Sequence, residues 1–289
     1  MYQRLLYLSL FLAFSASLFA QEEEFPAGIY MEQTFEDLSG KLALYAESDG
    51  WGWRSDLCFA GAIIDLGETI ALNLYLDAGT QYSFIGGGDE DITTLDLYLV
   101  NSEREVVASD VLDDRTPIVD FTPTVSGIYS LRMQLVGCDV GASFVGVALL
   151  KKNGPGFSAT HYETAYSNLM ENSANINSVS SGVYYYAEYN QWSTFGFWLS
   201  PTQSATVENL AMGVGTATQW LVSGCQESLT DVNMYLMGEA GNTIKSDVAP
   251  DNYPLFSNSS LSDTENYGIK VEAKSGSEAG LIFVSILSE

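Results

Sequence analysis

The chain reads as an all-β protein: two tandem antiparallel β-sandwich domains behind an N-terminal export signal. Three observations predict this. Short apolar runs alternate with period two, as in Leu95-Asp96-Leu97-Tyr98-Leu99 and Tyr129 to Leu135, which places one apolar face inward. Gly, Asn, Asp and Pro punctuate these runs without long amphipathic helices between them, the texture of a sandwich. The pattern also occurs twice. Tyr98-Leu99, Ser109-Asp110-Val111, Asp114 and Pro117 return as Tyr235-Leu236, Ser246-Asp247-Val248, Asp251 and Pro254, at a constant offset of 137. A repeat of that length copies a domain rather than a solenoid unit. A second match, Tyr45-Ala46-Glu47 and Trp51 with Tyr186-Ala187-Glu188 and Trp192, runs at an offset of 141.

Taken in order, residues 1–20 carry Arg4 and then the apolar run Leu5 to Phe19. This is the pattern of a cleavable signal, and it is shorter than the roughly 20 residues of a membrane-spanning helix. Export to the periplasm or the exterior is therefore expected, with no membrane span after cleavage. Residues 21–152 form the first expected domain. Phe25 to Asp37 reads as helical or irregular, and β texture is expected from Lys41 onward. Phe144 to Leu150 is almost wholly apolar, as is Leu281 to Leu287; both are expected to be central strands covered on two sides. Lys151 to Gly156 is the expected joint, outside either sheet. Residues 153–289 form the second domain, with a short helix expected over His161 to Ser173 and two separate apolar interiors overall.

The 37 acidic and 11 basic residues give a net charge of −26, and loss of Arg4 brings this to −27. Such a surface repels phosphate backbones, which excludes nucleic acid as a partner. His161 is the only histidine. Zinc sites needing several imidazoles are excluded, and any Ser-His-Asp or Cys-His arrangement would have to use it. No G-x-S-x-G accompanies it, and no catalytic residue is assigned. Three cysteines in an exported chain allow one bridge, expected between Cys58 and Cys138, with Cys225 left over.

Between Tyr82 and Tyr129 the first copy carries a resemblance. Gly79-Thr80-Gln81-Tyr82-Ser83-Phe84, then Leu95-Asp96-Leu97-Tyr98-Leu99, then Phe121-Thr122-Pro123-Thr124-Val125-Ser126-Gly127-Ile128-Tyr129 resembles the bacterial pre-peptidase C-terminal domain. The second copy departs from it, with Asn233 where the first has Asp96 and no Phe-Thr-Pro. The resemblance implies a jelly-roll-like sandwich in a secreted, non-catalytic module. The catalytic domain that usually accompanies the family has no counterpart in this sequence.

Three candidate sites follow from residue chemistry. Asp89, Asp91, Asp96, Asp110 and Asp114 could offer calcium the hard oxygens it needs, although the D-x-D-x-D-G spacing is missing and a turn-anchoring role competes. Trp51, Trp53, Tyr185 and Trp192 form a candidate aromatic surface for a polysaccharide or another envelope protein, against core packing of the same rings. Glu47 and Glu188 are the pair that a carboxylate-based hydrolase would need. The leading expectation is an exported, non-catalytic binding or structural module without a cofactor, unless calcium is held. Such a hydrolase, and a ligand-free spacer, are the alternatives.

Overall fold

The computed structural model describes residues 28–47, 50–180, 182–185, 191–212, 218–259, 261–262 and 265–289. The expected signal, residues 1–20, lies outside them. The first half runs α1 (Gly28–Glu47), β1 (Trp51–Trp53), β2 (Asp56–Asp65), β3 (Thr69–Leu76), β4 (Tyr82–Gly88), β5 (Ile92–Val100), β6 (Val106–Asp110), β7 (Ile118–Phe121), β8 (Gly127–Cys138) and β9 (Ala142–Lys152). The second half repeats that order: α2 (Ala159–Val179), β10 (Tyr184–Tyr185), β11 (Thr194–Leu199), β12 (Ser204–Leu210), β13 (Gln219–Cys225), β14 (Leu229–Gly238), β15 (Thr243–Asp247), β16 (Leu255–Asn258), β17 (Tyr267–Gly276) and β18 (Gly280–Ser288).

The fold is all-β with antiparallel sheets. Alternation sets the faces: β3 buries every second residue, Ile70, Leu72, Leu74 and Leu76. β9 and β18 are buried almost throughout, because each lies inside the large sheet with layers on both faces. That sheet runs β16-β13-β18-β11-β2-β9-β4-β7. Two four-stranded sheets, β3-β8-β5-β6 and β12-β17-β14-β15, cover one of its faces. The two helices cover the other, packing on β4 and β9 and on β13 and β18 respectively.

Several expectations are corrected here. The two halves do not enclose separate interiors. β2 pairs with β11, so the large sheet is continuous, and one apolar cluster runs from Ala60 and Val147 to Phe195 and Ile282. A second cluster, under the helices, holds Met31, Phe35, Leu38, Phe59, Tyr162, Leu169 and Phe283. Helix extends through Tyr45 to Glu47, where strand was expected from Lys41. α2 has 21 residues and outruns the segment His161 to Ser173. The joint begins later than Lys151, since Lys151 and Lys152 still pair with Gly52 and Trp51.

The halves are related by a local twofold axis normal to the large sheet. Gly86 and Ser223, or Gly87 and Gly224, hold equivalent places at the offset of 137. At the β2–β11 seam Ala60 pairs with Phe195, its own equivalent, so the axis passes between them. The offset there is 135, and between β1 and β10 it is 132, because Trp53 and Tyr185 face the equivalent residues Leu150 and Leu287. The match at 141 therefore joins residues that are not equivalent in space: Trp51 begins β1, whereas Trp192 precedes β11.

The helices dock by a shared device. Lys41 Nζ donates to Gly86 C=O at 3.0 Å and to Asp37, which also receives Gly88 N–H. At the equivalent places Asn172 Nδ2 donates to Ser223 C=O at 2.8 Å and Asn168 Nδ2 to Cys225 C=O at 2.9 Å. Two side chains one turn apart thus cap the strand beneath, as an ion pair in one half and as amides in the other. A side chain on the central glycine would collide with the helix, which is why both halves keep Gly87 and Gly224 there.

Candidate functional site

The residues singled out by chemistry are scattered by the fold. Among the described residues no group of three or more His, Cys, Asp or Glu is gathered as a metal site. Four of the five aspartates are instead spent locally. Asp110 accepts Ile118 N–H at 2.9 Å and Leu112 N–H, and Asp114 accepts Thr116 N–H at 2.8 Å. Asp247 and Asp251 repeat this with Leu255, Ala249 and Tyr253. Asp89 is fully buried and accepts Phe144 N–H at 2.8 Å and Asp91 N–H. Burial pushes its carboxyl above the usual range, with those donors opposing the shift. Gln226 takes its place in the second half, accepting Leu281 N–H. Asp96 accepts the Tyr98 phenol at 2.6 Å. Turn anchoring accounts for Asp110 and Asp114.

The aromatic surface is corrected at two of its four residues. Trp53 is 1% exposed and Trp192 5% exposed. Trp53 stacks on Tyr162 beneath the helices, and Trp192 lies in the sandwich cluster. Trp51 is half-buried, edge-on to Tyr45 with Lys152 Nζ 5.2 Å from its ring centre. Tyr185 lies in β10, its backbone partnered with Leu287. The two buried indoles thus lie in different clusters, on opposite faces of the large sheet. Of the acidic pair, Glu47 closes α1 and Glu188 lies outside the described residues. His161 sits in the first turn of α2.

The Cys58–Cys138 bridge is not formed; all three cysteines are free. Cys58 points into the cluster under the helices, while Cys138 packs on the sandwich cluster from β8, so the large sheet separates them. Cys138 Sγ lies 2.9 Å from Ser143 Oγ.

What the fold does bring together is a groove on the twofold axis. The lower layer is continuous at the β2–β11 seam, but the upper layer is split there. β3 ends one small sheet and β12 ends the other. Between them lies a groove of about 420 Å³ over Leu57, Phe195 and Trp192. The walls are strand edges. Leu135 N–H donates to Glu68 C=O, and Ala273 N–H to Gln203 C=O. Backbone groups alternate in direction along a strand, so those of Ala71, Asn73 and Tyr75, and of Thr206, point away from their own sheets. Two edge carbonyls are taken: Trp192 Nε1 donates to Ala71 C=O at 2.9 Å, and Arg54 reaches Tyr75 C=O at 3.5 Å. Gln191 Oε1 accepts Ala211 N–H, while its Nε2 is buried without a partner. A bulge follows Val207, with Asn209 at φ +63°, which turns the end of β12 away from regular pairing.

Sequence reasoning missed Asn73, Gln191, Thr206 and Glu208. Ile70, Leu72, Leu74 and Leu76 alternate with period two, but an edge strand and an inner strand share that pattern.

An antiparallel all-β assembly with a split upper layer is thus the class that fold and groove define. No family model matches the chain, and no curated protein matches it. Among solved structures, a periplasmic inhibitor of g-type lysozyme from Aeromonas hydrophila is 13% identical, with 34% of this chain and 86% of that one covered and a TM-score of 0.26. A conserved protein of unknown function from Pseudomonas aeruginosa PAO1 is 12% identical, covering 80% and 83%, at 0.20. The PBSX exported protein XepA is 13% identical, covering 78% and 84%, at 0.23. At such scores these likenesses carry no argument. No helix among the described residues is long and apolar enough to cross a membrane.

Proposed function

We propose that the protein is an exported, non-catalytic binding module, and that its ligand is another envelope protein seated in the groove between β3 and β12. The single observation behind this is the pair of strand edges that face each other over an apolar floor with no strand paired to either among the described residues. Free backbone donors and acceptors beside apolar side chains suit a polypeptide better than a sugar, because strand addition supplies the complementary groups. The buried, unpartnered Nε2 of Gln191 supports the same surface. Export rests on Arg4 and the apolar run after it. Kinship with pre-peptidase C-terminal domains rests on the Leu95 to Leu99 and Phe121 to Tyr129 motifs.

Site-specific photocrosslinking in whole cells tests this reading. A photoreactive residue at Asn73 or Thr206 is expected to join one identified envelope polypeptide, through an extended segment, and the same residue at Asp139 is not. Crosslinks that are absent at both edges, or as abundant at Asp139, would overturn it.

A further inference from the structure

Granting that the groove is the binding surface, its symmetry restricts what can fill it. β2 and β11 run antiparallel across the axis, and β3 and β12 hang from them in equivalent ways. The two edges therefore run in opposite directions. We infer that the occupant is one short extended strand, antiparallel to one edge and parallel to the other, with alternating apolar and basic residues.

Size favours a single strand over a hairpin, since only Ala71, Leu72 and Asn73 line one wall and Thr206 to Leu210 the other. The groove of about 420 Å³ stands near the lower end of the roughly 300–1,000 Å³ typical of small-ligand pockets. Alternation follows from the walls. Leu72 and Val207 face inward on either side, above Phe195 and Trp192, so every second residue of the guest meets apolar neighbours. The intervening residues emerge between Asn73 and Glu208. Among the described residues that line the groove, Glu208 is the one charged side chain; Arg54 lies farther along the β3 edge, at Tyr75, and Glu239 lies in the adjoining pocket beyond β12. With a net charge of −26, the chain favours a basic guest on the outward positions. Once seated, the strand would stitch the two small sheets into one, making the upper layer continuous like the lower. It would occupy the outward N–H and C=O groups of Asn73 and Thr206, and offer Gln191 Nε2 an acceptor.

The probe is a seven-residue peptide alternating lysine and valine, blocked at both ends, titrated into the full chain by fluorescence anisotropy at low salt. It should bind at least ten-fold more tightly than its glutamate–valine counterpart. N-methylation of alternate peptide amides, which keeps every charge but removes the donors, should weaken it ten-fold or more. Glu208→Gln should weaken it several-fold, and hydrogen exchange at Asn73 and Thr206 should slow on binding. Absence of binding, or equal binding of the N-methylated peptide, sinks strand insertion while leaving the crosslinking result to stand by itself. Conversely, slowed exchange at both edges, with no envelope polypeptide crosslinked there, supports strand insertion and removes the proposed partner.

Discussion

Asp96 and Glu272 hold equivalent phenols from different strands. Tyr98 donates to Asp96 Oδ2 at 2.6 Å from the same strand, β5. Tyr235, its counterpart on β14, donates at 3.0 Å to Glu272 on the neighbouring β17. The cross-strand pairs concerned are Asp96 with Gln134 and Asn233 with Glu272. Each half keeps one carboxylate and one amide, with the two exchanged. A cation faces each tyrosine, Arg132 in one case and Lys270 in the other, and Lys270 Nζ lies 5.4 Å from the Tyr235 ring centre. The chemistry of the pair is retained although its residues are not, which is what cross-strand coupling on one sheet face predicts.

That exchange gives a double-mutant test. Asp96→Asn removes the carboxylate acceptor and should cost about 1 kcal/mol. Adding Gln134→Glu should return part of that loss, because the arrangement then matches the second half. Urea unfolding of the four variants would show the coupling; purely additive changes would mean the pair acts as two independent surface residues.

The hydrogen bond to Asp96, and then partial burial, push the Tyr98 phenol up to about 12. A raised folded pKa favours the neutral phenol in the native state. The stabilisation is therefore complete below about 10, the unfolded value, and is lost as pH rises toward 12. Tyr98→Phe should flatten the fall in Tm across that window. A Tm profile identical to that of the wild type would contradict the assignment.

Two equivalent glycines should respond unequally to the same change. A Cβ on Gly224 would lie 2.1 Å from Leu169 N and 2.3 Å from Ala165 O, both helix backbone. On Gly87 it would meet the side chains of Asp37 and Leu38, at 2.6 and 2.9 Å. Side chains can move and a helix backbone cannot, so Gly224→Ala should cost about 3 kcal/mol or more and Gly87→Ala about 1–2 kcal/mol. Chemical denaturation of both variants decides it.

Asp110 and Asp247 each accept two backbone N–H groups in the turn after their strand. Substitution by alanine should cost about 1–2 kcal/mol at either position. The two losses should be alike, and Asn should recover more than half of each. Millimolar calcium should leave the Tm of the wild type unchanged; a rise that the alanine variants lose would return these aspartates to a metal site.

Burial pushes the Cys225 thiol up to about 12 and raises that of Cys58 as well, whereas Cys138 is half-exposed. Iodoacetamide at pH 8 should modify one thiol in the native protein, identified by mass spectrometry as Cys138, and three after denaturation. A native protein that resists until reduced would show that a disulfide is present.

The strands were legible because burial on one face imposes period two, and the Leu95 to Leu99 and Val232 to Leu236 runs display it. The turn aspartates were legible as a repeat, since Asp110 and Asp114 answer local backbone needs that both halves share. The helices were visible in outline and undervalued. Met31, Phe35, Leu38, Leu42 and Tyr45 recur at helical spacing in α1, as do Tyr162, Ala165, Leu169 and Ile176 in α2, but Ser, Thr and Asn between the latter obscured the stripe. The groove was not legible, because its walls are backbone edges rather than characteristic side chains.

By itself, the sequence determined which side of each strand is apolar, where turns fall, and that the pattern comes twice. Only the tertiary structure decided that β2 joins β11, that the small sheets stop short of each other, and that Trp53 and Trp192 are buried. The reason is physical. Alternation is written in side chains, whereas the joining of one strand edge to another uses N–H and C=O groups that nearly every residue carries.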